Sequence, residues 1–134
     1  MSSTQLRGIT WDHVRGYGPL EASVPIYTEK TGIQIQWDKR SLKDFGDVSL
    51  DFLAQEYDLI IMDHPHCGTA SATRCLLPLD EILNRDYLVR AALNSVGPSF
   101  ISYFYEDHQW ALPIDAACQV SCQRPDLMEG IPLP

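Results

Sequence analysis

The 134-residue sequence contains no apolar run approaching the ~20 residues a membrane-spanning helix needs. Its opening residues, MSSTQLRG, lack the apolar centre of a signal peptide, so the expectation for the chain as written is the cytoplasm. Positive charge is scarce: 10 Lys and Arg stand against 18 Asp and Glu, a net charge of −8. That balance argues against nucleic acid or an anionic membrane as partner. There is no Gly-x-Ser-x-Gly elbow, no phosphate-cradling glycine loop and no dinucleotide fingerprint, which removes three familiar routes to catalysis. Internal repeats and low-complexity tracts are also missing. The four cysteines, at 67, 75, 118 and 122, do not have zinc-site spacing. On a strand, Cys118 and Cys122 would stand ~13 Å apart, too far for a disulfide, so free thiols are expected.

What is present suits one soluble α/β domain. The hydrophobic share is 45% and the charged share 21%, and the length is enough to bury a core. The most informative stretch is Asp58 to Gly68, DLIIMDHPHCG. Leu59 to Met62 form an uninterrupted apolar run of strand length, the pattern of a strand buried on both faces of a parallel sheet. Pro65 ends it. Ligands of open α/β sheets sit just beyond the carboxyl ends of such strands. Asp63 and His64 therefore either wall a ligand cleft or cap the helix that follows.

Leu6 to Trp11 reads as the first strand, ending in Asp12, His13 and the turn RGYGP. Pro19 suits the first turn of a helix, Pro25 predicts a kink or a restart capped by Ser23, and Gly32 closes it. Ile33 to Trp37 alternates as a second strand near a sheet edge. Asp47 or Ser49 caps a helix whose stripe is Leu50, Leu53, Ala54 and Tyr57. Strand, helix, strand, helix, strand in the first 62 residues predicts a mostly parallel sheet of four or five strands flanked by helices. A short helix is expected over 69–75, a helical turn capped by Asp80, a helix from Asp86 to Leu93, and a tight turn at Glu106 to His108. Trp110 is expected to pack.

The order of these motifs resembles a known family. TWDHVRGYGPLEAS, IQWDKRSL, DLIIMDHPHCG and SYFYEDHQWALPIDAACQV are similar to the corresponding segments of extracellular solute-binding proteins of bacterial ABC transporters, in the carbohydrate-binding branch. The resemblance implies half of a type II periplasmic-binding fold, a three-layer α/β lobe. Residues 1–128 would be the N-terminal lobe, with a crossing strand over about 113–120, a tail over 129–134, and no second lobe. It implies capture of a small solute, a sugar by preference, with ABC permease subunits as partners, no cofactor and no catalysis. The family works in the periplasm or outside the cell.

In that fold the strand ends face the ligand, which makes Trp11, His13, Trp37, Asp38, Asp63, His64, His66 and Asp115 the candidate ligand-binding residues. Carboxylates suit the polar rim of a sugar and indole faces its apolar side. Each has a plainer reading. Trp11 and Trp37 could belong to the core, and Asp115 could hold backbone amides. Arg15 and Tyr17 could be solvated. A metal-dependent hydrolase using His64, His66 and Asp63, with His13 nearby, is the alternative function, and a non-functional remnant a third. One lobe alone should bind weakly, and an exposed crossing strand should favour self-association.

Overall fold

The computed structural model describes residues 4–117 together with 122, 124, 126 and 127. Its frame is a three-stranded parallel sheet in the order β2-β1-β3, with β1 over Gln5–Trp11, β2 over Gln34–Arg40 and β3 over Leu59–Ile60. Helix α1 (Val14–Thr31) joins β1 to β2. Helices α2 (Leu42–Asp47) and α3 (Leu50–Glu56) join β2 to β3. A 3-10 turn at His64–His66 then runs into α4 (Cys67–Thr73), followed by α5 (Leu79–Ile82) and α6 (Arg85–Asn94). A second 3-10 turn, Ile101–Tyr103, leads to an antiparallel hairpin of β4 (Phe104–Tyr105) and β5 (His108–Gln109). The α/β half-lobe expected from the sequence is thus present. The sheet itself has three strands among the described residues rather than four or five, the hairpin standing apart from it.

The centre of the sheet is β1, not the apolar run at 59–62. Gly8, Ile9 and Thr10 are buried there, Thr10 completely. Along its whole length β1 pairs with β2, from Gln5 opposite Gln34 to Trp11 opposite Arg40. On its other side Gly8 and Ile9 pair with Leu59 and Ile60. Because β3 lies at an edge of the described sheet, Leu59 remains 36% exposed and is not buried on both faces. Gly8 is required by its neighbour: a Cβ there would lie 2.4 Å from two ring atoms of Trp37.

Two helix readings change. Helix α1 starts at Val14, ahead of Pro19, and runs through both prolines without a restart at Ser23. Its cap is His13, whose ring accepts from the Arg15 amide, and the Ser23 hydroxyl bonds the Leu20 carbonyl instead. Pro19, Pro25, Arg15 and Glu21 are all exposed, so carbonyls left without an amide donor meet water at little cost. Gly32 ends the helix in the left-handed conformation, φ 74°. Of the two proposed caps before the next stripe, Ser49 is used, accepting from Phe52 N. Pro78, not Asp80, precedes α5.

The core lies where α3, α4 and the hairpin meet: Leu50, Met62, Cys67, Ala70 and Trp110 form one buried cluster. Trp110 is 3% exposed, and its indole donates to the Tyr105 carbonyl. Glu106 and Asp107 take φ 48° and 66°, the geometry of a two-residue hairpin turn. Asp80 fastens this hairpin to α5, accepting from the Gln109 amide at 2.7 Å and lying 3.1 Å from His108 Nδ1. Cys67, Cys75 and Cys122 are free thiols; Cys118 lies outside the described residues. Among the described residues no helix is long and apolar enough to cross a membrane.

Gly8→Ala is expected to lower stability by about 1–3 kcal/mol, since overpacking against a fixed indole outweighs the ~0.5–1 kcal/mol a glycine replacement normally contributes. Adding Trp37→Leu should restore part of the loss, read as the urea midpoint of each variant. Burial raises the Asp80 carboxyl, but the Gln109 amide and His108 outweigh it and hold it below the usual carboxylate value. A depressed folded-state pKa gives stability that is complete above about pH 4 and lost as pH falls through the folded value. Acid unfolding of Asp80→Asn should therefore be less steep with pH than that of the unaltered chain.

Candidate functional site

Parallel pairing brings the carboxyl ends of β1 and β3 to one edge, and a cavity of about 530 Å³ opens there. Its floor is Trp11 from the end of β1 and Ile60 to His64 from the end of β3. Two segments distant in sequence supply the opposite wall: Val96 to Ser99 with Ser102 and Tyr103, and residues of 111–117. Trp11, Asp63, His64 and Asp115 are brought together here, four of the eight residues nominated from the sequence.

Each is held by local structure. The Trp11 ring packs against α1 so closely that a Cβ on Gly16 would approach it to 2.6 Å. Asp63 precedes the 3-10 turn in extended conformation, φ −80° and ψ 151°, and its side chain makes no capping hydrogen bond. Asp63 thus caps the turn through its backbone alone, its carbonyl accepting from the His66 amide at 3.1 Å. The carboxylate remains exposed at the cavity. Asp115 is anchored by Arg15, with Nη2 to Oδ2 at 2.5 Å, which ties the segment after the hairpin to the first turn of α1. Arg15 is exposed, as its solvated reading has it, and also links positions 100 residues apart.

The other four nominees lie elsewhere. Trp37 and Asp38 were expected at the exit of β2, but the strand continues to Arg40 and its register sets them opposite Gly8 and Ile9, mid-sheet. Trp37 covers Gly8. Asp38 accepts from Arg7 at 2.9 Å and from Tyr57 at 3.2 Å, and the Arg7 bond, opposed by burial, holds its carboxyl below the usual range. His13 is the cap of α1, and His66 sits in the 3-10 turn away from the cavity wall. Tyr17 is half-buried, with Lys39 Nζ 3.5 Å from its ring centre. The metal reading has no geometric support, because no three His, Cys, Asp or Glu groups converge among the described residues.

Sequence reasoning overlooked Ser99, Ser102 and Tyr103. The Tyr103 hydroxyl donates to the Met62 carbonyl at 3.2 Å, and burial, reinforced by Asp63 and Asp115, pushes its phenol above the ordinary value. Arg40 is the true exit of β2; it donates to the Ile61 carbonyl at 3.3 Å from behind the cavity floor. Small polar and aromatic residues in VGPSFISY were the available signal. Residues 113–117 follow the wall in irregular backbone, and 118–120, the rest of the expected crossing strand, lie outside the described residues.

A parallel sheet between helices, open to a cavity at its carboxyl edge, defines the class: the fold is that of part of one lobe of a periplasmic-binding protein. Among solved structures it is similar to a cyclo/maltodextrin-binding protein complexed with maltotetraose, with TM-score 0.63 over 84% of this chain and 18% identical residues. The chain spans 29% of that protein's length. No family model and no curated protein matches the sequence.

Arg15→Ala should free the wall locally. An ion pair this exposed contributes about 0.2–1 kcal/mol, so global stability should change by less than ~1 kcal/mol. Amide hydrogen exchange of residues 114–117 should nevertheless quicken; unchanged exchange there would show that Asp115 is held by other means.

Proposed function

We propose that the chain captures a small solute, a carbohydrate by preference, at the carboxyl edge of its sheet. In this reading it is the N-terminal lobe, residues 1–128, of the solute-binding component of an ABC importer. Segment 113–120 leads towards a second lobe, and the work is done in the periplasm or outside the cell. Permease subunits are the partners, and no reaction is assigned to this chain. The observation that carries the reading is the cavity itself. An indole, two carboxylates and an imidazole converge on about 530 Å³ at the strand ends, where open α/β sheets meet their ligands. The similar solved protein is a maltodextrin-binding protein, which favours a sugar. The ring of Trp11 offers a flat apolar platform, while Asp63 accepts from hydroxyl groups.

A single wall buries only part of a sugar, so affinity should be millimolar or weaker. The test is titration of the isotope-labelled chain with maltotetraose, followed by nuclear magnetic resonance. Shifts should concentrate on the Trp11 indole and the amides of 61–64 and 97–103. Trp11→Ala should weaken binding by about fivefold or more. Shifts confined to other surfaces, or none at saturating sugar, would overturn the assignment.

A further inference from the structure

Resting on the reading of this cavity as a carbohydrate site, we infer that its wall selects solutes by charge and hydrogen-bond polarity. It accepts neutral and amino-bearing sugars and rejects anionic ones. Among the described residues no Lys, Arg, Asn or Gln lines the cavity, whereas two carboxylates, Asp63 and Asp115, do. The hydroxyls of the wall have already committed their protons to backbone carbonyls. Ser99 donates to Val96 at 2.6 Å, Ser102 to Ser99 at 2.9 Å and Tyr103 to Met62 at 3.2 Å. What these groups still present is lone pairs. Ring N–H groups of Trp11 and His64 are the other polar hydrogens that side chains bring to the wall.

The neighbouring cations do not reverse this. Arg15 is engaged with Asp115; Arg40 donates to the Ile61 carbonyl and interacts with Asp63 from outside the cavity, offsetting part of that charge; neither cation lines the cavity. A ligand carboxylate or phosphate would bring a like charge up to Asp63, on a wall whose described side chains offer few donors beyond two ring N–H groups. Two unit charges 4 Å apart interact by about 1 kcal/mol even in bulk water, and by more in a cleft. An ammonium or a hydroxyl instead donates protons to the carboxylates and hydroxyl lone pairs that the side chains present.

The test compares glucose, glucosamine and glucuronate, which share one ring, against the full chain near neutral pH by resonance titration. Glucosamine should bind about fivefold or more tightly than glucuronate, with glucose between. Raising salt should narrow the outer pair and leave glucose unchanged. Asp63→Asn should compress the series, and the salt dependence tests the same point without a variant. Equal binding of all three, or preference for glucuronate, overturns the inference while the sugar-site reading stands. Failure of all three to shift the cavity amides overturns both.

Discussion

The constraint on which the molecule depends is the parallel pairing of β1 with a strand on either side. Parallel neighbours end at the same edge, so one decision of register delivers Trp11, Arg40 and the residues after Ile60 to a common rim. The pairing is set by close packing at its middle. Gly8 leaves room for the Trp37 indole, and with that ring seated, Ile9 and Thr10 are sealed in the centre of the sheet. The ladder reaches past the strand itself: Asp12 N donates to Arg40 O at 2.7 Å, and Ile61 N to Ile9 O at 3.0 Å. Those two bonds aim the chain exits on either side of the cavity floor.

Polar side chains divide into those that hold the frame and those that face the opening. Arg7, Asp38 and Tyr57 form one structural set, with the Arg7 guanidinium 4.8 Å from the Tyr57 ring centre. Asp80 with His108 and Gln109 forms another, which positions the hairpin against α5. Asp63 is of the second kind: its backbone begins the 3-10 turn, but its carboxylate makes no capping bond at that chain exit. A carboxylate spared from structural duty beside an indole and a cavity is what makes the carboxyl edge chemically distinctive.

Much of the frame was legible because local signals agreed with the final packing. The first strand, the start of the third at Leu59, the Ser49 cap, the Gly32 stop, the Leu50–Leu53 stripe and the turn after Tyr105 all follow from pattern or turn chemistry, although the third strand stops at Ile60. Illegible features were those decided by the environment. Two prolines read as helix boundaries became interior residues because that helix face is wet. Trp37 and Asp38 looked like a strand exit because polar residues begin there, yet the strand runs on to Arg40 while Arg7, from the adjacent strand, neutralises Asp38. Ser99, Ser102 and Tyr103 join the cavity through contacts across the fold, which no local window contains.

The bond between Arg15 and Asp115 encircles most of the chain, a separation of 100 residues. Closing so long a loop has an entropic cost that grows slowly with length, and it is met only after nearer contacts have shortened the path. The segment around Asp115 therefore depends on the nearer contacts of the sheet and the hairpin to bring it within reach of Arg15. Whatever favours that closed position of Asp115 would strengthen the long-range link as well, since the two equilibria are coupled.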